Sequence, residues 1–534
     1  MLPAAGPADV GAGRSAGRRS THGVRRGVPV RRPVLRRDTT IGPWYGSCRC
    51  RVLHGRGQPP AHSEGSALSS RAFHLSAVTA VAAVVTVTGT APAVSDAGAP
   101  SSGSAASGFT AMSRADFDAD GRPDVAVGAP GGTINGRTEA GYIAVVYGMA
   151  EGPNGVRYQL ISQNRYAVPG TAETGDRFGS HLTAADLDGD GFTDLVVGAP
   201  GEDVDGARDV GRYTVLWGSV GGLATATAIG GGTSPARAGD FDGDGHTDLA
   251  TARHVRYGPF SRTDGAARTG PLVVPGIRVD VMEAGDVDGD GTTDLVVGSG
   301  APARDGLPAP LGRLRLLRGT ASGLVAGPSI APADTVSVDS VALGDTDGDG
   351  RQDVVFGRST AGGSGLLGVV RGTADGLEAR ATLIGQDSPG VPGTGESGDR
   401  FGTDVAVGDV TGDGYADVVA GVPGEDLAGR EDAGRFVVLR GSAAGVTGGS
   451  AQAFGQNTAG VPGSAEDGDR FGAGTAVVGG HVVVSAPGEN ERSGAVWAFA
   501  GTAAGITATG SVSFGPGTLA APTAGARLGS AFHR

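Results

Sequence analysis

The chain has 534 residues, of which 100 are glycine, 39% are apolar and 5% are aromatic. This much glycine without a collagen period predicts many tight turns between short strands, and the apolar fraction is sufficient for a packed core. The chain has 43 basic and 56 acidic residues, which gives a net charge of −13. All 43 basic residues are arginine, and the absence of lysine excludes both a phosphate-loop lysine and a Schiff-base lysine.

The first 70 residues differ from the rest of the chain in being rich in arginine. They contain 12 arginines, many in adjacent pairs, with few apolar residues and no periodicity. A nucleic-acid-binding arm is one interpretation. Because an export signal follows, we expect instead a disordered leader, or translation from a start codon placed too far upstream.

Residues 71–93 have the pattern of a secretory signal peptide. A basic start is followed by small apolar residues from Leu75 to Val87 and by the cleavage-type sequence Ala91-Pro92-Ala93, and this stretch is too short for a permanent membrane anchor. Both cysteines of the chain lie upstream of the cleavage site, so the exported protein would have neither a disulfide nor a catalytic thiol. We expect a secreted, extracellular protein without a transmembrane segment in its mature chain.

Export also changes the charge. Residues 1–93 hold 13 of the 43 basic residues and 3 of the 56 acidic ones, so the remainder carries 30 basic against 53 acidic residues, a net charge of −23. Such a polyanion is expected to bind cations, and we expect no nucleic acid and no anionic membrane among its partners.

One acidic motif recurs six times in the mature chain. Aspartates occupy positions one, three, five and nine, glycine occupies position six, and a short apolar run that predicts a strand follows. The first aspartates are 70, 54, 46, 59 and 64 residues apart. The six copies are Asp116, Asp118, Asp120 and Asp124; Asp186, Asp188, Asp190 and Asp194; Asp240, Asp242, Asp244 and Asp248; Asp286, Asp288, Asp290 and Asp294; Asp345, Asp347, Asp349 and Asp353; and Asp409, Thr411, Asp413 and Asp417.

The spacing of the motif suits a hard divalent cation. Three carboxylates would lie on one side of a tight turn, the glycine permits the positive φ that wraps the chain, and the carbonyl at position seven and the carboxylate at position nine would complete the shell. An isolated copy could be a solvated turn, since Asp and Gly favour turns, but five complete copies favour metal binding. We predict up to six Ca²⁺ ions, with the sixth site weakened by Thr411.

Each motif lies within a larger repeat. In the second unit "GDRFGSHLTAAD" precedes the loop, and "DLVVGAP", "GRYTVLWG" and "ATATAIG" follow it, which reads as four short antiparallel strands. Four-stranded units of about 60 residues are typical of propeller blades. A seventh unit keeps the flanking sequences at 468–487 without the acidic cluster. We predict an all-β fold, a seven-bladed β-propeller of four-stranded blades over residues 108–534, after a linker at 94–107.

Two further expectations concern closure and packing. The segment 521–534 resembles the beginning of another unit, so we expect its strand to pair into the first blade and leave the ring without an exposed strand edge. Four aromatic side chains on strand-like pieces are expected to pack between blades: Phe178, Tyr213, Trp217 and Trp497.

The order of short steps within each unit resembles a known family. Phe178-Gly179 precedes the acidic loop and Gly198-Ala199-Pro200 follows it, and Phe401-Gly402 and Gly421-Val422-Pro423 repeat this order. The pattern resembles the FG-GAP (phenylalanyl-glycyl/glycyl-alanyl-prolyl) repeats of the integrin alpha-chain head, and we expect a secreted, bacterial-type member. The resemblance implies a seven-bladed propeller with calcium in its hairpin loops and an extracellular adhesion or ligand-binding role.

Carboxylates also recur outside the loops. Paired carboxylates are the catalytic set of glycoside hydrolases, but an active site is normally unique and these are copied in register, so turn formation and contacts between blades are the favoured interpretation. With no zinc-spaced histidines and no nucleophile elbow, we expect no enzyme. The copies are Glu173 with Asp176, Glu396 with Asp399, and Glu466 with Asp469 before the loop, and Glu202 with Asp203, Glu425 with Asp426, and Glu489 after the strand.

Three functions remain open from the sequence. The preferred one is a monomeric, non-enzymatic, calcium-stabilised binding or adhesion module for an extracellular protein or glycan. The resemblance implies that this partner docks on the face opposite the calcium loops. The second is an exported hydrolase acting on a glycan or phospholipid, since similar repeats accompany a glycosylphosphatidylinositol-cleaving phospholipase. The third is a structural cell-surface protein with no specific ligand.

Overall fold

The computed structural model describes residues 115–165, 168–274, 278–299, 314–330, 338–360 and 363–534. The leader, signal peptide and linker predicted for residues 1–107 lie outside these residues, as does the beginning of the predicted propeller. All described residues belong to the unit Gly98–Arg534. Among them, no helix is both long enough and apolar enough to cross a bilayer.

The described residues form seven four-stranded antiparallel sheets, which are the blades of a ring. A two-stranded ribbon adjoins blade 5, a 3-10 turn spans Gly448–Ser450, and a one-turn helix, α1, spans Glu489–Arg492. Blade 1 contains β1 Val125–Ala129, β2 Tyr142–Val146, β3 Tyr158–Ile161 and β30 Ala531–Phe532; blade 2 contains β4 His181–Ala185, β5 Asp194–Ala199, β6 Arg212–Trp217 and β7 Thr225–Gly230; and blade 3 contains β8 Ala236–Gly239, β9 Asp248–Thr251, β10 His254–Ser261 and β11 Gly265–Pro271. Blade 4 contains β12 Val281–Gly285, β13 Asp294–Gly298, β14 Leu314–Arg318 and β15 Val325–Ile330; and blade 5 contains β16 Ser340–Gly344, β17 Asp353–Arg358, β18 Leu366–Val370 and β21 Thr382–Ile384, with the ribbon β19 Gly372–Thr373 and β20 Gly376–Leu377. Blade 6 contains β22 Val405–Gly408, β23 Asp417–Val422, β24 Arg435–Leu439 and β25 Gln452–Phe454; and blade 7 contains β26 Gly474–Val478, β27 His481–Ala486, β28 Ala495–Thr502 and β29 Gly505–Phe514.

The core lies between blades rather than within them. Among the described residues, seven apolar clusters each join two adjacent blades. Successive side chains of a strand point to opposite faces of its sheet, so Val197 packs against blade 1 and Val196 against blade 3. Because the second strands are buried on both faces, they read as continuous apolar runs. The predicted seven-bladed propeller is confirmed.

The C-terminal strand closes the ring, as predicted. β30 pairs antiparallel with β1 through Val127 and Phe532 and through Gly128 and Ala531. The Ala126 N–H donates to Nδ1 of His533 over 3.1 Å, and an apolar cluster joins blades 1 and 7. The last strand therefore supplies the innermost strand of the first blade.

The four aromatic residues expected between blades are buried there. Tyr213 and Trp217 belong to the cluster between blades 2 and 3, Phe178 to the cluster between blades 1 and 2, and Trp497 to the cluster between blades 6 and 7. All four side chains are at most 2% exposed.

The strand order defines two faces of the ring. The acidic-loop face carries the six acidic motifs and the connections between third and fourth strands. The opposite face carries the connections between second and third strands and those between consecutive blades. In blades 1, 2 and 6 the second-to-third connection is long and contains a small hairpin, seen as bridges such as Val204 to Ala207.

Candidate metal centres

The six acidic motifs occupy equivalent places, immediately before the second strands of blades 1 to 6. The aspartate at position nine is the first residue of the second strand in blades 2 to 6, as in Asp194 of β5. Antiparallel pairing therefore holds each loop at the end of a buried two-stranded ladder, for example β4 with β5.

The aspartate at position one organises its loop through backbone N–H groups. Oδ1 of Asp186 accepts from Gly189 at 2.8 Å and Asp190 at 3.2 Å, and Oδ2 accepts from Gly191 at 2.9 Å. Gly191 has φ +89°, the left-handed conformation that the wrapped turn requires. The loop is therefore closed on its first carboxylate as the glycine at position six predicts.

Five of the six loops gather three carboxylates whose potential ligand atoms lie within 4.8 Å of one another. Loops 1 to 3 use positions one, three and nine, and loops 4 and 5 use positions one, three and five. The groups are Asp116, Asp118 and Asp124; Asp186, Asp188 and Asp194; Asp240, Asp242 and Asp248; Asp286, Asp288 and Asp290; and Asp345, Asp347 and Asp349. The sixth loop, all of which lies in the described part of the chain, forms no such group, because Thr411 replaces the carboxylate at position three.

Two buried oxygens in these loops lack a hydrogen-bond partner among the described residues. They are Oδ1 of Asp188 and Oδ1 of Asp242, and their side chains are only 13% and 10% exposed. A buried carboxylate oxygen without a partner is costly, and a bound cation is one group that satisfies such an oxygen. The carboxylate donor set therefore suits a hard cation, and the five groups could hold metal ions.

An arginine contacts each of the six loops, which the sequence analysis missed. In loops 1 to 5 it pairs with the carboxylate at position three, and in loop 6, which lacks that carboxylate, Arg440 pairs with Asp413 at 3.0 Å. The other pairs are Arg157 with Asp118, Arg262 with Asp188, Arg268 with Asp242, Arg318 with Asp288, and Arg371 with Asp347. Because a carboxylate has two oxygens, one can accept from the guanidinium while the other remains available to an ion.

The origin of this arginine differs between the two halves of the ring. In blades 4 to 6 it is the residue that precedes the glycine after the third strand: Arg318, Arg371 and Arg440. In blades 1 to 3 that position is aromatic, and an arginine from elsewhere lies over the ring, as Arg268 does 3.5 Å from the ring centroid of Tyr257. Arg157 over Tyr147 and Arg262 over Trp217 repeat the arrangement. The recurring Arg-Gly step was a sequence signal for half of these pairs.

The aspartate at position nine is a buried structural clamp. Oδ2 of Asp194 accepts from Leu187 N–H at 2.9 Å, and Oδ1 accepts from Gly218 N–H at 2.8 Å. Burial raises the pKa of Asp194 to about 7, although these two N–H groups oppose the shift. The same two bonds recur at Asp124, Asp248, Asp294, Asp353 and Asp417. Position nine thus ties each loop to the end of its third strand, in addition to the ligand role predicted for it.

The glutamates that follow the second strands of blades 2 and 6, Glu202 and Glu425, lie in polar clusters on the opposite face. Arg212 pairs with Oε1 of Glu202 at 2.6 Å, and Gln163 donates to the second oxygen. In blade 6, Arg435 pairs with Glu425 at 2.9 Å, and Gln386 Nε2 donates to Glu425 at 2.8 Å.

The aspartates at the unit openings cap turns, as the structural interpretation predicted. Asp176 accepts from the Glu173 N–H at 2.6 Å. The same contact recurs in the other two copies, Glu396 with Asp399 and Glu466 with Asp469.

Comparison with known families supports the repeat. A family model described as "FG-GAP repeat" matches residues 108–146, 178–216 and 401–439, and one described as "FG-GAP-like repeat" matches residues 286–356. Each of the first three matched segments contains an acidic loop, and the segments 178–216 and 401–439 begin with the steps Phe178-Gly179 and Phe401-Gly402. The resemblance drawn from the sequence is confirmed at the level of the repeat.

Similarity to curated proteins is partial. Phosphatidylinositol-glycan-specific phospholipase D of Rattus norvegicus is 32% identical over 169 residues, 29% of this chain and 19% of that protein. The Homo sapiens protein of the same name is 35% identical over 120 residues, 22% of this chain and 14% of that protein. Integrin alpha-PS2 of Drosophila melanogaster is 34% identical over 110 residues, 20% of this chain and 7% of that protein. The chain thus spans less than a fifth of the length of these relatives, and because they are animal proteins the bacterial type stays a prediction.

Proposed function

Since this chain carries FG-GAP repeats, we propose that it is a secreted, calcium-stabilised β-propeller that binds an extracellular ligand and has no catalytic centre of its own. The observation that carries this proposal is the set of five loops that gather three carboxylates each. A bound Ca²⁺ would supply the positive charge that lets these carboxylates lie together, and oxygen donors are the ligands it prefers. The aspartates at positions one and three would hold the ion, together with position nine in loops 1 to 3 and with position five in loops 4 and 5.

The ligand is proposed to dock on the opposite face as a single extracellular protein or glycan, bound by a monomeric propeller. Two features support this choice. The acidic-loop face is covered by ion pairs between arginines and loop carboxylates, whereas the opposite face carries the connections that differ most between blades. Loops on a rigid scaffold are where binding specificity is usually placed.

The proposal is tested with the full chain on arrays of extracellular proteins and glycans, in calcium and after chelation. We expect saturable binding that requires calcium, with no turnover of polysaccharides or phospholipids. Binding that is unchanged after chelation, in a protein whose melting temperature is also unchanged, would contradict the stabilising role of calcium.

A hydrolase is the second candidate, because two of the relatives are named as phospholipases. The buried glutamates of the opposite face are the carboxylates that such an activity would use. Release of a protein from a phosphatidylinositol-glycan anchor is the assay. The control variant is Glu151→Gln, which changes an exposed glutamate of blade 1. Loss of turnover in Glu425→Gln, with turnover kept in Glu151→Gln, would favour the hydrolase over the binding module.

A further inference from the structure

A cavity of about 1010 Å³ opens on the opposite face at blade 3. Its walls come from β6 of blade 2, from residues 231–234 ahead of blade 3, from residues 272, 274 and 278–280 behind it, and from the turn between β9 and β10. Val210 and Leu272 form apolar parts of the wall, and Thr233 and Thr251 add hydroxyl groups. The volume is that of a typical small-ligand site.

The cavity exists because blade 3 has a very short second-to-third connection. Only Ala252 and Arg253 separate β9 from β10, whereas twelve residues separate β5 from β6 in blade 2. Thr251 fixes the short turn, since its Oγ1 donates to the His254 carbonyl at 2.9 Å and accepts from the His254 N–H at 3.1 Å. The wall that carries Arg253 is therefore preformed.

Two arginines of this wall have no carboxylate partner among the described residues. They are Arg253 at the tip of the turn and Arg256 on β10, and both line the cavity. Arg256 and His254 lie on the same side of the strand, since Val255 between them is buried on the other side. A third arginine, Arg278, pairs with Asp280 at 2.7 Å. The described lining of the cavity thus carries an excess of two positive charges in a strongly acidic protein.

The guanidinium of Arg256 is only partly satisfied. Its Nη2 donates to the Gly230 carbonyl, but its Nη1 is buried with no hydrogen-bond partner among the described residues. Burial lowers the pKa of Arg256, because the charged form loses solvation. A half-buried guanidinium with no carboxylate partner among the described residues is destabilising, and an anion in the cavity would offset its charge.

The backbone leaves room next to this group. Gly231 has φ +92°, and a Cβ added there would lie 3.6 Å from Nη2 of Arg256 and 3.4 Å from the ring of Tyr213. The Tyr213 hydroxyl donates to the Ser234 carbonyl at 2.6 Å and holds this connection in place. The connection that lies beside the Arg256 guanidinium is therefore held in place.

We propose that this cavity binds an organic oxyanion, a carboxylate or a phosphate ester, on the guanidinium groups of Arg253 and Arg256. Guanidinium donors match both groups in geometry and charge. The apolar wall at Val210 and Leu272 would contact the uncharged part of the ligand. The inference rests on the proposed function and adds to it the chemical class of the ligand.

The test is isothermal titration of the full chain in calcium buffer with two anions and two neutral references. Glucuronate carries the carboxylate, glycerol 3-phosphate carries the phosphate ester, and glucose and glycerol are their uncharged counterparts. We expect saturable one-site binding of at least one anion and no binding of its neutral counterpart. The anion that binds shows whether the cavity takes a carboxylate or a phosphate ester.

Arg253→Gln is the decisive variant, because this exposed side chain has no ion pair to lose among the described residues. We expect it to weaken the binding at least tenfold with an unchanged melting temperature. Arg137→Gln is the matched control: it removes the same charge from an exposed position of the same face, in blade 1, and is expected to leave the affinity within twofold.

The proposal fails if neither anion binds saturably, if Arg253→Gln binds as the parent does, or if Arg137→Gln weakens binding equally, which would indicate a long-range charge effect. These failures are distinguishable from failure of the proposed function. Calcium-dependent binding of an array ligand that is untouched by Arg253→Gln would leave the binding module standing and remove only the oxyanion site.

Discussion

Glu489 in blade 7 occupies the place of Glu202 and Glu425 in blades 2 and 6, but it lacks their arginine. Ala495 stands at the position of the missing arginine, paired with Ala486 across the ladder. The Trp497 indole N–H donates to the Pro462 carbonyl at 2.9 Å, much as Arg212 donates to the Pro169 carbonyl at 3.4 Å in blade 2. The indole replaces the hydrogen bond but not the charge.

The missing charge gives Glu489 an unusual titration. Burial raises the pKa of Glu489 to about 7, and the negative charge of Asp469 adds to the shift. The folded state therefore holds this proton more tightly than the unfolded state, in which the pKa is near 4.5. The stabilising contribution is fully present below pH 4.5 and is lost as the pH rises through 7.

We therefore predict that Glu489→Gln flattens the loss of stability between pH 5 and pH 8, because a neutral amide keeps the contact with Gln456 and carries no charge. Thermal melts of parent and variant across this range measure the difference. Glu425→Gln is the control at the equivalent site: it breaks the ion pair with Arg435 and is expected to cost about 2 kcal/mol at pH 8. Identical pH profiles for Glu489→Gln and the parent would contradict the titration of Glu489.

At the scale of single elements, the acidic loop and the end of the third strand form one unit. In blade 2, Asp194 joins the two through the Gly218 N–H, and the guanidinium of Arg262 covers Asp188. Blade 7 lacks the acidic loop, and it has Ala500 at the position where blades 4 to 6 have the arginine that pairs with the loop. Loop and arginine are absent together, which is expected if the arginine serves the loop.

This arrangement separates a structural from a metal-binding aspartate. We predict that Asp294→Ala in loop 4 lowers stability by about 2–5 kcal/mol with or without calcium, because the N–H groups of Val287 and Gly319 lose their acceptor. Asp290→Ala removes the exposed carboxylate at position five of the same loop, one of the three that lie together there, and is expected to lower stability more in calcium than after chelation. Denaturant melts of both variants, in calcium and after chelation, measure this. Equal behaviour of the two variants would mean that positions five and nine do the same work.

Most of the fold could be predicted from the sequence, because blade strands, Phe-Gly steps and acidic loops recur in the same order in successive units. The arginine pairs were harder to foresee: Arg262 reaches Asp188 from the next blade, and no local pattern joins them. The cavity could not be predicted either. It depends on how much less the short turn from Thr251 to His254 projects from the ring than the longer connections of the neighbouring blades. The sequence also did not show that the aspartate at position nine is buried, because its place in the motif suits a metal ligand and a structural clamp equally well.

At the scale of the whole molecule, the ring depends on contacts between blades. Each of the seven apolar clusters joins two blades, so no blade buries its faces alone. β30 links the last residues to the first blade. Local loss of order in one blade therefore exposes two cores, and we expect the described ring to unfold cooperatively.

Calcium would act on this ring through mass action. With a Kd of about 0.1 mM and about 1 mM calcium, each site contributes roughly 1.4 kcal/mol, so six sites contribute about 8 kcal/mol. Typical domains are stable by only about 5–15 kcal/mol. In the proposed exported protein, whose predicted mature chain has no cysteine, bound ions would take the place of disulfides.

The most direct test of this account is the melting temperature of the full chain in about 1 mM calcium, compared with the same buffer after chelation and with magnesium added at equal ionic strength. We predict that chelation lowers the melting temperature by about ten degrees and that magnesium restores only a small part of it. A melting temperature that is the same in all three buffers would contradict the claim that the acidic loops bind calcium and thereby hold the ring together.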